Sequence, residues 1–259
     1  MSVSVYHFSP TGSTKQIALA FGRALDQNAS FVDLAAPGIH GGSRPIPDPD
    51  ENETSLALFA VPVFAGRVPA PAIEAIERLD GKGVVAASAV VYGNRDFDDA
   101  LIELNDVLTR QGFAIIASGA FVARHSMLPS VAAKRPDASD LEDVSKFARL
   151  VAEKAAAKKD ALSTPDVPGN RPYKEASGAA WVPAVSDDCI LCGICAAQCP
   201  VEAIPRSAPN TTEAGCFQCM RCVAVCPKDA RSLPAPVAAM ISEKLGPVAG
   251  VRKPNQMWV

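Results

Sequence analysis

The chain has 259 residues, of which 48% are hydrophobic and 20% are charged, and its formal net charge is −3. This composition is typical of a globular protein with one well-filled core and a small second domain, and it excludes a disordered chain. The charged residues form no basic stripe and the apolar runs are too short to cross a membrane. We therefore expect a cytoplasmic protein with no nucleic-acid partner and no membrane span.

The first 160 residues alternate apolar strand patterns with helical patterns, which is typical of a parallel sheet covered on both faces. The predicted strands are Val3–Phe8, Phe31–Leu34, Leu56–Val61, Val84–Tyr92 and Phe113–Val122. The predicted helices are Gln16–Leu25, Ala70–Leu79, Asp98–Gln111 and Ser139–Lys159. A loop rich in Pro, Gly and Asp fills 37–53. The pattern predicts an α/β fold with a doubly wound, parallel, five-stranded sheet.

The turn after the first strand reads Ser-Pro-Thr-Gly-Ser-Thr over residues 9–14. Its hydroxyls and backbone N–H groups precede a helix, where unpaired amides and the helix dipole favour a phosphate. The turn lacks the lysine-serine ending of a Walker A loop, and its single glycine excludes the Rossmann pattern. The alternative interpretation is a simple helix cap.

Two further loops follow the third and fourth predicted strands, at 62–69 and 92–97. In a doubly wound sheet the ligand lies beyond the carboxyl ends of the strands, at the point where the strand order reverses. Phe64 and Tyr92 could therefore stack on an aromatic ligand, although both could equally be core residues. His125 follows the fifth strand and is a candidate proton donor, whereas His7 is interpreted as a core or edge residue.

Residues 1–160 resemble the flavodoxin family, with the Thr-Gly-Ser-Thr loop and the Tyr-Gly-Asn-Arg segment as the best matches. The resemblance implies that the phosphate of FMN is bound by Ser9, Thr11, Gly12, Ser13 and Thr14. It implies that the isoalloxazine ring is held by Pro62, Val63, Phe64, Ala65, Gly66 and Arg67, together with Tyr92, Gly93, Asn94, Arg95, Asp96 and Phe97.

Arg67 and Arg95 depart from the acidic surroundings of the ring in small flavodoxins. A cation near the reduced ring would stabilise its anion and raise the reduction potential. The alternative is that both arginines are solvated surface charges.

All eight cysteines lie between Cys189 and Cys226, after 188 residues without one. They form two runs of the same spacing, C-x2-C-x2-C-x3-C-P, which we call the first run (Cys189–Cys199) and the second run (Cys216–Cys226). A large cysteine-free domain before a dense cluster favours metal binding over disulfides. Structural zinc is the alternative, but it gives no reason for the third cysteine of each run.

This spacing is that of the bacterial ferredoxins, in which three cysteines of a run bind one [4Fe-4S] cluster and the fourth binds the other. The pattern assigns one cluster to Cys189, Cys192, Cys195 and Cys226. It assigns the second cluster to Cys216, Cys219, Cys222 and Cys199. Residues 181–234 thus resemble the two-cluster ferredoxin family, which implies a small α+β domain and a low-potential one-electron carrier.

The chain divides into a flavodoxin-like domain at 1–162, a proline-containing linker at 163–180, a ferredoxin-like domain at 181–234 and a C-terminal helix and tail at 235–259. The whole resembles the flavodoxin–ferredoxin fusion proteins of anaerobic bacteria and archaea. We expect electron transfer between the clusters and FMN, in a ferredoxin-linked reductase. The alternatives are a carrier without substrate chemistry and a redox-sensing module, so the partner is a redox protein or a small acceptor, and the oligomeric state stays open.

Overall fold

The structure, a computed structural model, describes residues 2–49, 56–157, 162–175 and 180–259. The first domain alternates strands and helices as the sequence predicts. Its strands are β1 (Val3–His7), β2 (Ser30–Asp33), β3 (Leu56–Pro62), β4 (Val85–Tyr92) and β5 (Ala114–Val122). Its helices are α1 (Ser13–Leu25), α2 (Ala70–Ile76), α3 (Ala100–Arg110) and α4 (Ala138–Ala155). The end predicted for the last helix and part of the 37–53 loop lie outside the described residues.

These five strands are parallel and lie in the order β2-β1-β3-β4-β5. This is the flavodoxin-like order of a doubly wound sheet. Strand β3 is buried at all seven positions because helices cover both faces of the sheet. The predicted α/β class and sheet type are confirmed, and the order reverses between β1 and β3, where a ligand site is expected.

The sheet has a sixth strand that the sequence did not predict. Strand β8 (Gln256–Trp258) pairs antiparallel with β5, so that Trp258 lies opposite Ser118. The ring of Trp258 packs edge-on against Phe97, with centroids 6.1 Å apart. A three-residue edge strand carries too little periodicity to predict, and the C-terminal tail is part of the first domain's sheet.

The described part of the linker, 162–175, packs along α3. The backbone N–H groups of Asn170 and Lys174 donate to the Asp99 carboxylate at 2.8 and 2.7 Å. The Tyr173 hydroxyl donates to Asp106 at 2.5 Å. These contacts fix the linker to the first domain, so that the following domain starts from an anchored point.

The second domain is small and contains short elements. They are β6 (Ala184–Val185), α5 (Ile194–Ala197), α6 (Arg221–Ala224) and β7 (Arg231–Ser232), followed by α7 (Ala235–Ala249). Strands β6 and β7 pair antiparallel. Within the described ranges, none of the helices combines the length and the apolar character needed to cross a bilayer.

Candidate functional site: a cleft at the sheet edge and two cysteine cavities

A cleft opens at the carboxyl ends of β1, β3 and β4, where the strand order reverses. Its walls come from the three predicted loops and from the segment after β5. The lining residues are Ser9, Pro10, Thr11, Ser13, Thr14, Pro62, Val63, Phe64, Val91, Tyr92, Gly93, Ala123, Arg124, His125 and Ser126.

The 9–14 turn forms one end of the cleft and leads into α1. Gly12 is the N-cap residue and has φ of +93°, a left-handed conformation that glycine adopts without a steric penalty. The Ser9 hydroxyl accepts the N–H of Lys15 at 2.9 Å. Gly12 has no side chain to cap α1, and this bond to Ser9 satisfies one first-turn N–H, while Thr11, Ser13 and Thr14 line the cleft. This geometry suits an anion at a helix N-terminus.

Only the first residues of the loops at 62–69 and 92–97 reach the cleft. Pro62, Val63 and Phe64 line it, whereas Ala65, Gly66 and Arg67 are absent from the lining. A tight turn joins Phe64 to Arg67 through two backbone hydrogen bonds of 2.9 and 3.0 Å. The Arg67 guanidinium pairs with Glu103, from Nε to Oε2 at 2.8 Å, and lies over the Tyr173 ring at 4.8 Å.

Tyr92 and Gly93 also line the cleft, whereas Asn94, Arg95, Asp96 and Phe97 are absent from its lining. The Asn94 side chain donates to the carbonyls of Val248 and Val251 at 2.8 and 2.7 Å. Arg95 pairs with Asp98, and the buried Phe97 packs against Tyr92. The second half of this loop therefore anchors the segment that leads to β8.

The two arginines of these loops are partly exposed, and they do not line the cleft. Arg67 and Arg95 each bind a carboxylate, from Glu103 and Asp98. Because a paired cation has its charge largely compensated, the predicted electrostatic effect of these arginines on a ring is weakened. The binding roles predicted for the other loop residues stay predictions.

His125 lies on the cleft wall opposite the 9–14 turn. Its Nδ1 accepts the N–H groups of Met127 and Leu128, both at 3.2 Å. Burial, with a smaller contribution from the charge of Arg95, lowers the pKa of His125 to about 4. The imidazole is therefore neutral at neutral pH with its proton on Nε2, which makes it a hydrogen-bond donor rather than an acid. Its ring also packs on Gly93, where a Cβ would lie 2.4 Å from Cδ2.

The cysteines line two separate cavities. We call the first the outer cavity, and its cysteines are Cys189, Cys192, Cys195 and Cys226. We call the second the inner cavity, and its cysteines are Cys199, Cys216, Cys219 and Cys222. These are the two sets that the spacing of the runs predicts, with the fourth cysteine of each run exchanged.

The cavities fit iron–sulfur clusters better than single ions. All eight cysteines are free of disulfide bonds. Across the described ranges, no three Cys, His, Asp or Glu side chains converge closely enough to hold one metal ion, as a zinc site requires. Burial raises the pKa of Cys219 to about 12. A buried thiol of this kind becomes a thiolate when a positively charged metal centre binds it.

The inner cavity lies against the cleft. Phe217, which lines the inner cavity, has its ring 6.0 Å from Phe8 and 6.1 Å from Phe64 of the cleft wall. The buried Arg221 guanidinium donates 2.9 Å hydrogen bonds to the carbonyls of Ser9, Pro10 and Ala35. The second cysteine run is thereby fixed to the turn that forms the end of the cleft.

Several of these residues could not be found from motifs alone. Phe217 and Arg221 lie between ligand cysteines, at positions where the first run has Ile190 and Ile194. The departure from the repeat is the one signal in the sequence, and it does not say what the two side chains contact. Arg124 and Ser126 join the cleft only because the chain turns back after β5.

A family model matches the C-terminal part of the chain. Residues 183–239 match the family of 4Fe-4S dicluster domains. No curated protein sequence matches the chain.

Solved structures align with the flavodoxin-like part of the chain only at low identity. A flavodoxin from the domain Archaea is 16% identical over 61% of this chain and all of its own, with a TM-score of 0.43. Oxidised flavodoxin 2 from Bacillus cereus is 16% identical over 60% of this chain and 99% of its own, at 0.43. An NADH:FMN oxidoreductase in its apo form is 13% identical over 63% of this chain and 94% of its own, at 0.46. The fold assignment rests on the strand order of the sheet described above.

Proposed function

We propose that this chain, in which a flavodoxin-like domain is fused to a 4Fe-4S dicluster domain, transfers electrons between two [4Fe-4S] clusters and FMN. The observation that carries the proposal is the contact between the inner cavity and the cleft. Phe217 and Arg221 belong to the second cysteine run, and both touch residues that build the cleft. A site for one-electron exchange is thus fixed beside a site for an aromatic, phosphorylated cofactor.

The residues of the cleft divide into a polar end and an aromatic wall. Thr11, Ser13 and Thr14 at the start of α1 would bind the phosphate. Phe64 and Tyr92 would flank the ring, and the neutral His125 would donate a hydrogen bond to its polar edge. When bound, a flavin exchanges one or two electrons and an iron–sulfur cluster exchanges one, so the pair would join single-electron donors to two-electron chemistry.

The two cysteine cavities have different access to solvent. Cys192 of the outer cavity is exposed, and Ile190 and Leu191 beside it are 59% and 58% exposed. Cys219 and Cys222 of the inner cavity are buried. We infer that a redox protein docks at the outer cavity, and that the inner cavity connects it to the cleft.

We infer further that the chain is a reductase with a small acceptor, because the cleft has a polar wall that the cysteine domain does not supply. Arg124, His125 and Ser126 line the cleft from the segment after β5. Arg124 is exposed, and an exposed cation suits an anionic or polar acceptor. A carrier without substrate chemistry, or a redox sensor, is the competing function that the experiment below separates.

The test is anaerobic reconstitution with iron, sulfide and FMN, followed by metal and flavin analysis and stopped-flow reduction with a reduced ferredoxin. We expect about eight irons and one FMN per chain, and flavin bleaching that depends on the inner cavity. The Cys219→Ala variant should keep its FMN, and this FMN should be reduced by the ferredoxin far more slowly. Equal bleaching rates in both proteins would refute the proposed route, and zinc in place of iron would refute the cluster assignment.

The flavin site has a separate test in the 9–14 turn. Changing Thr11 and Thr14 together to Ala removes two hydroxyls from the cleft, so FMN should dissociate more readily while iron content stays the same. Fluorescence titration of FMN measures the change. Unchanged affinity would refute the phosphate assignment without affecting the clusters.

A further test distinguishes a reductase from a carrier. The reduced protein is mixed either with a small acceptor, such as a quinone, or with an oxidised ferredoxin. A reductase should be reoxidised faster by the small acceptor, whereas a carrier should be reoxidised faster by the ferredoxin.

A further inference from the structure

Arg231 occupies a fixed, buried position at the outer cavity. It lies in β7, opposite Val185 of β6, and its side chain lines the cavity with the four cysteines of that set. The residue is only 2% exposed. The short β6–β7 pair therefore holds the Arg231 guanidinium at the wall of the outer cavity, beside its four cysteines.

The hydrogen-bond partners of this guanidinium are all uncharged. Nη1 donates to the Thr212 hydroxyl at 2.9 Å, and Nη2 donates to the carbonyls of Pro209 and Thr211 at 2.5 and 3.0 Å. The Nε–H is buried and has no acceptor in the described part of the chain. Arg67, Arg95 and Arg135, by contrast, each pair with a carboxylate.

A buried cation without a carboxylate is costly, because it loses its hydration and gains no opposite charge in return. Four thiolates around a [4Fe-4S] core form an anionic site, and one-electron reduction adds a further negative charge. Pro209 shows how close the two groups lie, since its carbonyl accepts from both Arg231 Nη2 and the Cys195 thiol, the latter at 3.5 Å. A cluster held in the outer cavity would supply the missing anion and an acceptor for the Nε–H.

We propose that Arg231 is an internal counter-charge of the outer cavity, which raises the reduction potential of the cluster held there. The inference rests on the proposed function, because it requires a cluster in the outer cavity. Arg231 is a positioning and tuning residue, since it would act on that cluster through its charge and its Nε–H. It favours the state with the added electron, because the attraction grows as the site becomes more negative.

The experiment uses the reconstituted full-length protein and three variants, Arg231→Gln, Arg231→Lys and the exposed-arginine control Arg206→Gln. Iron content and the midpoint potential of each cluster are measured, the latter by an anaerobic, dye-mediated titration followed by EPR. The Gln variant should reduce the outer cluster with an equilibrium constant lower by about tenfold or more, a fall of about 59 mV for one electron. The potential of the inner cluster should change by less, because Arg231 does not line the inner cavity.

The two other variants separate charge from structure. Arg231→Lys keeps the charge, and Arg206→Gln removes a solvated one, so both should stay within about threefold of the unaltered protein. Unaltered potentials in a Gln variant with full iron content would overturn the inference and leave the proposed function standing. If the Gln variant loses iron, the Lys variant provides the test, because it keeps the charge. Loss of iron in the Lys variant, or a tenfold change in the equilibrium constant for reduction of its outer cluster, would overturn the assignment of Arg231 as a counter-charge. An unaltered protein that binds no iron would overturn the proposed function as well.

Discussion

The two cysteine runs have the same ligand spacing, yet they meet different surroundings. After its first cysteine the first run has Ile190, which is 59% exposed. At the same position the second run has Phe217, which packs against Phe8 and Phe64 of the other domain. Ile190 thus faces solvent, whereas Phe217 at the equivalent position connects the inner cavity to the cleft.

The position before the third cysteine differs in the same sense. The first run has Ile194, which is 37% exposed, and the second has Arg221, which is buried and bonded to three carbonyls of the first domain. The repeat thus sets the spacing of the ligand cysteines, whereas the residues between the cysteines determine how accessible each cavity is to solvent. The comparison predicts one site for external exchange and one for internal exchange.

The largest expected difference between the runs is in how fast they lose iron. Because Cys192 is exposed and the cysteines of the inner cavity are mostly buried, an oxidant with a chelator should remove iron in two phases of about equal size. The rates should differ by more than about tenfold, as expected for sites with unequal costs of local opening. Iron release is followed by the absorbance of a ferrous chelator.

The assignment of the phases has an internal control. The Cys192→Ala variant should start with half of the iron and show only the slow phase, because the outer cluster is lost first. A single phase that releases all of the iron, or a fast phase that survives in this variant, would show that the two cavities are equally accessible.

The second expected effect concerns the joint between the domains. Changing Arg221 to Met keeps an unbranched side chain, although a shorter one, and removes the donors to three carbonyls. Buried groups left without partners cost about 1–3 kcal/mol each, so the joint should weaken by on the order of 3 kcal/mol. Hydrogen exchange measured by mass spectrometry should speed up in both 9–14 and 219–224.

The matched control is Ile194→Ser, at the equivalent position of the first run. A surface substitution of this kind changes stability by no more than about 0.5 kcal/mol, so protection of both segments should stay as it is in the unaltered protein. Equal exchange in the two variants would show that Arg221 does not hold the domains together.

The third effect is the aromatic contact across the same joint. Phe217→Ala removes a half-buried ring from beside Phe64, so we expect a loss of about 1–2 kcal/mol, less than the 3–5 kcal/mol of a fully buried ring. Phe64 lines the cleft, and its loosened position should raise the dissociation constant of FMN by up to about tenfold. Fluorescence titration measures this dissociation constant, with Ile190→Ala as the control. If the two variants bind FMN with equal affinity, the Phe217 ring does not influence the flavin site.

The sequence predicts the sheet well because buried parallel strands leave a strong signal. The strand predicted at Leu56–Val61 is observed at Leu56–Pro62, and it is apolar throughout because both faces are covered. The sixth strand was missed because Gln256–Trp258 is short and owes its conformation to pairing with β5. Strong local patterns were therefore predictable, and a strand made by its partner was not.

The candidate site divides in a similar way. The two cysteine sets follow from spacing alone, and the 9–14 turn follows from its hydroxyls and its place before a helix. The roles of Asn94 and Arg67 could not be predicted, since both depend on residues far along the chain, such as Val248 and Glu103. Sequence places a loop at the site, but long-range partners decide which of its side chains face the cleft.

The smallest predicted effect tests whether the two runs have the same backbone conformation at equivalent positions. Gly193 of the first run has φ of +73°, and Met220 at the same position of the second run has φ of +66°. A Cβ at Gly193 would meet nothing within 4 Å. Because Met220 shows that a side chain is compatible with this left-handed conformation beside the ligands, Gly193→Ala should cost only the backbone penalty of about 1–2 kcal/mol.

Iron content and EPR spectra of the Gly193→Ala variant should therefore match those of the unaltered protein, while the denaturation midpoint falls slightly. Gly215→Ala is the control, since a Cβ there also meets nothing within 4 Å and the backbone has no positive φ; its effect should stay within about 0.5 kcal/mol. Loss of iron at Gly193 alone would mean that the first run needs its glycine for close approach to a cluster, and that the two runs differ in the backbone as well as in their surroundings.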